Sequence, residues 1–370
     1  MKIKDIASAI ERLLPPGLAQ SWDNVGLLVG DPEADARRIL VTIDTTQAVV
    51  AEAKRLKVDL IVSYHPIIWD GLKRITAAGP TAALYELIRA GIAVYSIHTS
   101  LDVIAGGVND GLAEAVGLVE AEPLGDFVDD PTGPQYKVVT FIPTEDLNKV
   151  ADALYRAGAG AIGHYSHCGF QTVGTGTFLP LDGANPTIGR RGRIETVSEI
   201  RLETVVRAGQ VEAVIAALRK AHPYETPAFD VFRLHDVERR LGLGRMGRLA
   251  RPASVSQILA KVKRATGAKA AGIVGRQDRL VRKAAVCAGA CGKILHAVIA
   301  AHCDLYLTGE LKHHEALAAQ EAGVTAVCLS HTVSERFALS RLIRELKMVL
   351  PQVTIRQSAK DADPFEWKMI

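Results

Sequence analysis

The sequence predicts an α/β fold with a duplicated three-layer core and an inserted α+β module. Three observations support this prediction: two distant stretches match without a gap, apolar strands alternate with helices in both halves, and the segment between them follows another pattern. The 370 residues exceed one average domain and are enough for two or three. The predicted boundaries are 1–130 for the first half of the core, 134–233 for the insertion and 236–370 for the second half.

The duplication rests first on one long gapless match. Residues 41–62 (VTIDTTQAVVAEAKRLKVDLIV) align with residues 286–307 (VCAGACGKILHAVIAAHCDLYL) at a constant offset of 245 (286 − 41). Asp59 aligns with Asp304 at the same offset. A match of this length without insertions indicates that one structural unit occurs twice in the chain.

A second pair of matching stretches carries polar side chains. The two stretches are AVYSIHTSLD at 93–102 and AVCLSHTVSE at 326–335. In them His98 aligns with His331, and Asp102 aligns with Glu335. Each half therefore offers an apolar run, a His-Thr pair and a carboxylate four residues after the histidine. This pattern predicts a site built between the two halves.

Helices and apolar strands alternate along both halves. The first half has a helix at 5–14 ended by Pro15-Pro16, a strand at 37–44, a helix at 46–57, a strand at 59–66, a helix at 81–91 closed by Gly91, a strand at 92–100 and a helix at 107–118. The second half has strands near 283–288, 304–308 and 325–329 and a final helix at 333–349. Strands that are apolar throughout indicate a parallel sheet covered by helices.

The middle of the chain follows a different pattern. It begins with a Pro/Gly linker, PTGPQ at 131–135, and its elements are a strand at 136–142, a helix at 145–159, a strand at 197–207 and a helix at 210–223. This order suggests a ferredoxin-like α+β module of about a hundred residues. We therefore predict one duplicated domain interrupted by an insertion.

Composition limits the classes of partner. The 44 basic and 41 acidic residues leave a net charge of +3, so nucleic-acid binding is not favoured, and GRRGR at 189–193 is interpreted as a solvated hairpin loop. No apolar stretch approaches membrane-span length, and the opening MKIKDIASAIERLLPP is typical of a helix and not of a signal peptide. Five cysteines favour a reducing cytoplasm over a disulfide framework.

Three histidines follow predicted strands and are candidates for metal binding. They are His65, His98 and His331, and the last two are followed four residues later by Asp102 and Glu335. Imidazole and carboxylate together suit a borderline divalent metal ion. The alternative is that each histidine is a hydrogen-bonded structural residue and that each acid simply stabilises a helix N-terminus. The grouping of three histidines with two repeat-related acids favours the metal site.

Other polar residues allow two interpretations. His313-His314 either line the same cleft or belong to a solvated helix face. Asp23 is interpreted as a turn former and Trp22 as an apolar contact in the core.

Two further patterns are assigned no chemistry. Cys287 and Cys291 are expected to be buried small hydrophobes, because a lone CxxxC lacks the partners of a structural zinc site. GAGAIG at 158–163 contains GxGxxG but follows a helix, so it is not a dinucleotide-binding loop.

Five blocks of the sequence resemble the Nif-three-like dinuclear-metal-centre family, whose members are called GTP cyclohydrolase I type 2 homologues. The blocks, in the family's order, are SWDNVGLLVGD (21–31), SYHPIIWDGLKRI (63–75), SIHTSLDVIAGGVND (96–110), DLYLTGELKHHEAL (304–317) and SHTVSE (330–335). The middle of the chain, with YKVVTFIP, AGAGAIGHYSHCGF, GTGTFLP and AHPYETPAFD, is similar to the insertion of the longer bacterial members, which looks like CutA and PII proteins.

The resemblance implies a homohexameric toroid with metal sites facing an interior cavity. By its motifs, His65, Asp102, His331 and Glu335 would hold one or two divalent ions per subunit, namely zinc, iron or manganese. Asp102 or Glu335 would bridge two ions, and His98 would lie beside them.

The sequence departs from the family at one position. Many relatives carry His-His-Pro where this chain has Tyr64-His65-Pro66. A phenol with a pKa of about 10 is a poor ligand for most divalent ions at neutral pH. We therefore expect one firm metal site with a weaker neighbour.

The resemblance predicts a metal-dependent hydrolase that acts on a nucleotide such as GTP, with His98 as a general acid/base. The alternative is a non-catalytic ring protein that depends on metal and regulates or binds a small ligand. The likeness of the insertion to signalling trimers favours this alternative to some extent.

Overall fold

The computed structural model describes residues 1–128, 133–162, 165–235 and 241–366. The chain forms two compact units. The core unit comprises Met1–Asp129 with Arg240–Ile370, and the middle unit comprises Asp130–Arg239. Part of the predicted linker at 131–135, Gly163 of the GAGAIG motif and residues 236–240 lie outside the described residues.

The core unit begins with helices and short buried strands in alternation. Its first elements are α1 (Ile3–Leu13), β1 (Gly26–Val29), β2 (Arg38–Thr42), α2 (Gln47–Leu56), β3 (Leu60–Ser63), α3 (Ala82–Ala90), β4 (Ala93–Ser96), α4 (His98–Val103), α5 (Val108–Val116) and β5 (Leu118–Val128). Local signals set several ends: the Thr46 side chain accepts the Val49 N–H at the start of α2, and Gly91 ends α3 in the left-handed conformation.

The middle unit follows, and the core unit then resumes. The middle unit contains β6 (Gln135–Pro143), α6 (Leu147–Arg156), β7 (Gly169–Phe178), β8 (Glu195–Arg207), α7 (Val211–Ala221) and β9 (Phe229–Arg233). The core resumes with β10 (Leu241–Ser254), α8 (Val255–Thr266), β11 (Gly272–Val274), β12 (Leu280–Cys287), α9 (Leu295–Ala300), β13 (Leu305–Thr308), α10 (His313–Glu321), β14 (Thr325–Cys328), α11 (His331–Arg336), α12 (Leu339–Val349) and β15 (Thr354–Gln357).

Two sheets organise the core unit, and each half of the chain lends one strand to the other half's sheet. The first sheet has the order β1-β4-β3-β2-β15, and the second has the order β11-β14-β13-β12-β10-β5. The first sheet has four parallel strands, the second has three, and in both an antiparallel strand, β1 or β11, follows at one edge. The α/β prediction is confirmed.

The duplication extends to strand register. Ile39 pairs with Leu60, and Ala284 pairs with Leu305, which is the same pairing shifted by 245 residues. Asp59 accepts the backbone N–H groups of residues 37 and 38, and Asp304 accepts those of residues 282 and 283. Both halves therefore join their first two parallel strands with the same carboxylate contact.

Two predicted elements of the core have different bounds in the structure. The predicted strand 92–100 ends at Ser96, and His98 begins the buried helix α4. An apolar run does not distinguish a buried strand from a buried helix, which explains the error. The predicted final helix 333–349 is two helices, α11 and α12, because the Ala338 N–H bonds to Glu335 with a spacing of three residues and tightens the turn.

The second match between the halves contains one inserted residue. Ala93 pairs with Leu60, and Thr325 pairs with Leu305, so Ala93 and Thr325 occupy equivalent strand positions. In the sequence, His98 and His331 are one residue further apart than Ala93 and Thr325 are. The extra residue precedes His331, where Ser330 has a φ of 82°. Positive φ is uncommon outside glycine, so local contacts must hold this backbone.

The middle unit is a four-stranded antiparallel sheet with the order β7-β8-β6-β9. Its apolar core joins Val138 and Leu202 of the sheet to Leu154 and Val214 of α6 and α7. Its elements follow one another as strand, helix, strand, strand, helix, strand. The ferredoxin-like assignment and its likeness to CutA and PII proteins stay predictions.

Within the described ranges of the chain, no helix combines the length and apolarity needed to cross a membrane.

Candidate metal centre

The predicted site residues lie where the two sheets of the core end. His65 comes two residues after β3, while His98 and His331 are the first residues of α4 and α11. Residues four apart on a helix share one face, so Asp102 lies one turn after His98 on the same face of α4, and Glu335 lies one turn after His331 on the same face of α11. The spacing found in the sequence is therefore one helical turn in each half.

Three side chains from opposite ends of the chain converge. His331 Nε2 lies 3.2 Å from Glu335 Oε1, and His65 Nε2 lies 3.5 Å from Glu335 Oε2. One donor atom from each of these residues lies within 4.8 Å of the other two. Among the described residues, this group of His65, His331 and Glu335 is the one that could hold a metal ion.

Each candidate histidine is held by a carboxylate at Nδ1. The pairs are His65 with Asp44 at 2.9 Å, His98 with Asp23 at 2.7 Å and His331 with Glu310 at 2.8 Å. A carboxylate at Nδ1 fixes the ring orientation and makes Nε2 a better ligand, an arrangement that is common behind metal-binding histidines.

The charges in this group depend on one another. Burial alone would lower the pKa of His65, but its hydrogen bond with Asp44 and the charge of Glu335 raise that pKa to about 10. Burial would also lower the pKa of His331, but the hydrogen bonds and charge of Glu335 and Glu310 raise that pKa to about 9. Glu335 is buried, yet the two imidazoles hold its pKa at about 2. The pocket therefore stabilises positive charge next to a buried carboxylate.

The group fits a metal ion on two structural grounds. Glu335 Oε2 is buried without a hydrogen-bond partner in the described residues, an arrangement that is costly unless something binds it. A Cβ on Gly289 would lie 2.7 Å from Glu335 Oε1, so the glycine keeps this space open. Two imidazoles and one carboxylate with an open position are the donor set of catalytic zinc sites.

Asp102, the fourth predicted ligand, is engaged by Tyr64. The buried Tyr64 hydroxyl donates to Asp102 Oδ1, and burial together with the charges of Asp102 and Glu335 raises the pKa of the phenol. Burial also raises the pKa of Asp102, to about 7, aided by the charge of Glu335. Tyr64 is thus a neutral donor to Asp102, and Asp102 is not in the group formed by His65, His331 and Glu335.

His98 lies beside the group under two exposed indoles. Its ring centroid is 5.2 Å from that of His65, 5.1 Å from that of Trp69 and 5.8 Å from that of Trp22. The prediction that Trp22 packs in the core is wrong, because the residue is 57% exposed, and Trp69 is 52% exposed. Exposed tryptophans beside a polar group are unusual on a soluble surface and favour ligand contact.

Asp23 has a larger role than the predicted turn former. Its Oδ1 does accept the N–H of Asn24 at 2.8 Å, but its carboxylate also holds His98 and accepts the Thr99 N–H at 3.0 Å. It therefore fixes both the ring of His98 and the start of α4. The sequence alone did not connect it with His98, because the two residues are 75 positions apart.

Sequence reasoning also missed Glu310, Asp44 and Asn109. The offset of 245 places Glu310 opposite His65 and Gly289 opposite Asp44, so the repeat itself contained the signal for these positions. The Asn109 side chain donates to the Leu243 carbonyl at 2.7 Å and accepts the Ala288 N–H at 2.8 Å, which joins the two halves next to the site.

The remaining candidates behave as ordinary structural or surface residues. His313 and His314 are exposed on the first turn of α10. Cys287 and Cys291 are buried, as predicted. The GRRGR cluster lies in the loop between β7 and β8, and most of its residues are exposed.

Comparisons with known proteins agree with this architecture. A protein named GTP cyclohydrolase 1 type 2 homolog from Mycobacterium tuberculosis is 40% identical over 322 residues, 85% of this chain and 83% of the relative. A protein of the same name from Bacillus subtilis is 37% identical, covering 98% of this chain and 97% of the relative. The crystal structure of a Bacillus cereus protein related to NIF3 has a TM-score of 0.85 and 35% identity, covering 100% of this chain and 99% of that one.

The family model for Duf34/NIF3 (NGG1p interacting factor 3) matches residues 1–364. Because this match spans the core unit and the middle unit alike, and because the relatives share 37–40% of their residues with this chain, the protein belongs to the Duf34/NIF3 family.

Proposed function

We propose that this protein is a metal-dependent hydrolase whose firm metal site is formed by His65, His331 and Glu335. The observation that carries the proposal is the convergence of their donor atoms within 4.8 Å around a buried carboxylate oxygen without a hydrogen-bond partner among the described residues. Three protein ligands leave an open position for water or substrate, which is typical of catalytic rather than structural sites.

The second metal site is proposed to be weaker and to use Asp102. The Tyr64 hydroxyl competes for Asp102, because Asp102 Oδ1 already accepts a hydrogen bond from it. This hydrogen bond weakens Asp102 as a ligand to a second ion. Zinc, iron and manganese all accept imidazole and carboxylate ligands.

The residues around the site have different roles in the proposed chemistry. A divalent ion held there supplies Lewis acidity, which lowers the pKa of bound water toward neutrality. His98, oriented by Asp23, is placed to act as a general acid/base. Trp22 and Trp69 present indole rings beside His98 and favour a planar substrate. A nucleotide such as GTP has a planar base that suits this surface, and the name of the relatives points to the same substrate.

The alternative is a non-catalytic, metal-dependent regulatory or small-ligand-binding ring protein. It is favoured by the middle unit, whose sequence looks like that of signalling trimers. For either function we propose a homohexameric toroid in the cytoplasm, which the family resemblance and the free thiols of Cys287 and Cys291 support. Turnover distinguishes the two functions.

The test of the hydrolase is an activity assay on the full chain loaded with zinc, manganese or ferrous iron. We expect the loaded protein to hydrolyse GTP or a related nucleotide and the double variant Asp102→Ala/Glu335→Ala to lose that activity. Circular dichroism of both proteins controls for folding. Equal rates for the folded variant and the wild type would refute the metal-dependent hydrolase, and metal binding without turnover of any nucleotide would support the alternative.

Tyr64→His is expected to raise the metal content from about one ion per chain toward two. The substitution removes a neutral donor to Asp102 and adds an imidazole, which is a good ligand for these metals. Elemental analysis after dialysis measures the stoichiometry. Tyr64→Phe is the control, since it frees Asp102 without adding a ligand. If wild type and Tyr64→His bind the same number of ions, Tyr64 does not limit the second site.

A further inference from the structure

The middle unit contains a cavity of about 550 Å³, a size within the range of small-molecule sites. Leu202 of β8 faces the helices of this unit, so its neighbours Arg201 and Glu199 line the cavity on the opposite face of the sheet. The connection between β7 and β8, with Pro180 and Ile188, covers that face. The site is thus built from described residues of the middle unit alone.

The covering connection is fixed in place. The Asn185 N–H donates to Glu225 Oε1 at 2.9 Å, and the Thr187 hydroxyl donates to the Pro223 carbonyl at 2.8 Å. Both acceptors belong to the segment between α7 and β9, which forms another wall of the cavity. These bonds keep the cavity open as a preformed space between two connections.

One end of the cavity brings a carboxylate and a hydroxyl together. Glu199 is only 8% exposed and forms no ion pair with a basic residue in the described parts of the chain. The Tyr224 hydroxyl lies next to it, because burial and then the hydrogen bond and charge of Glu199 raise the pKa of this phenol. A buried carboxylate without a basic partner is costly, and this cost is reduced when a ligand supplies further donors.

A glycine makes room for this carboxylate. A Cβ on Gly176 would lie 2.1 Å from Glu199 Oε2, so any other residue at this position would displace the carboxylate from where it lies. Arg201 does not neutralise Glu199, because its guanidinium donates to Glu203 at 2.9 Å and lies 5.6 Å from the centre of the Phe141 ring. Glu199 therefore lines the cavity without a direct basic partner.

The walls of the cavity are suited to a flat molecule. The rings of Phe178 and Tyr224 have centroids 6.2 Å apart, and Phe141 lies on the sheet that forms the floor. Aromatic walls bind planar ligands by offset or edge contacts. A carboxylate accepts two parallel N–H donors, as it does from arginine.

We propose that this cavity binds a planar aromatic molecule with an amidine-type edge, in which two adjacent N–H groups donate to Glu199 and the ring lies between Phe141 and Phe178. The Tyr224 hydroxyl contacts a polar substituent of the same ligand. Benzamidine and the aminopyrimidinone edge of guanosine have this donor pair. The site is formed by residues of the middle unit and does not depend on the proposed hydrolase activity.

The test is calorimetric titration of the full chain carrying Glu335→Ala, so that nucleosides have no metal site to occupy. We expect benzamidine and guanosine to bind, while benzoate, which has the same shape as benzamidine but the opposite charge, and adenosine, which lacks the donor pair, do not. Glu199→Gln added to this chain should weaken binding about tenfold or more, because it removes a hydrogen-bonding charge. Tyr224→Phe should weaken guanosine binding by a smaller factor.

Glu212→Gln is the matched control, since Glu212 is exposed on α7 and does not line the cavity. It should bind both probes as tightly as the parent chain. The proposal is overturned if neither donor probe binds, if benzoate binds as well as benzamidine, or if Glu199→Gln and Tyr224→Phe both fold and bind without loss. If Glu199→Gln does not fold, an undiminished affinity of Tyr224→Phe for guanosine overturns it instead.

Discussion

Glu335→Ala is expected to weaken metal binding by on the order of 100-fold or more. Glu335 is the carboxylate that both His65 and His331 approach, so its loss removes one of the three proposed ligands and the negative charge between two imidazoles. Substitution of a residue that only orients a metal ligand already lowers metal affinity about 10–100-fold. Loss of the ligand itself should lower it at least as much. Competition with a metal-binding dye measures the affinity.

The matched control for this variant is Glu321→Ala, which removes an exposed carboxylate from α10 in the same half of the chain. It should bind metal like the wild type. Glu310→Gln should give an intermediate loss, because it weakens the hold on His331 Nδ1 while all three ligands remain. If Glu335→Ala binds metal with the affinity of the wild type, the proposed three-residue site is wrong.

Arg245→Met is expected to lower the free energy of unfolding by about 3 kcal/mol, because removing the buried guanidinium leaves the buried carbonyl groups that it holds without their donor. Arg245 is 4% exposed, and its guanidinium donates to Asp110 and to the carbonyl oxygens of Gly242, Gly244 and Val103. Methionine fills part of the space but donates no hydrogen bond. Denaturation in urea, followed by circular dichroism, measures the loss.

Arg248→Met is the control for that measurement, because Arg248 is an exposed residue of the same strand, β10. Its effect should stay within about 0.5 kcal/mol. Arg245 also donates to the carbonyl of Val103, the residue that directly follows Asp102 in α4. Because the loss of this contact loosens α4 next to Asp102, the Arg245→Met variant should also weaken binding of a second metal ion. Equal stabilities of the Arg245 and Arg248 variants would show that the buried guanidinium does not stabilise the core.

The parallel strands were predictable because they are short, apolar throughout and repeated. β2, β3, β12 and β13 lie inside or overlap the predicted segments, and the offset of 245 carries over to their register. The long antiparallel pair of β5 and β10 was not predicted. The sequence of β5, LVEAEPLGDFV, contains three acidic residues, a proline and a glycine, all of which are depleted in strands, so its local sequence does not mark it as a strand.

The candidate site was predictable in part for the same reason. The repeat and the spacing of four residues identified His98, His331 and the two acids, and the apolar strand before it identified His65. The separation of Asp102 from the other three depends on Tyr64, which reaches it across 38 residues of sequence. Asp23 was missed because its contact with His98 forms only when the chain folds.

The sequence by itself determined the α/β class, the duplication and the identity of the residues that lie at the ends of the central strands, since these follow from local apolar patterning and from a repeat. The tertiary structure alone decided which donors meet and which are diverted, which tryptophans face solvent, and that the middle unit contains a cavity lined by a buried carboxylate. Those outcomes depend on contacts between residues far apart in the chain, and hydrogen-bond partners at such distances leave no periodic signal in the sequence.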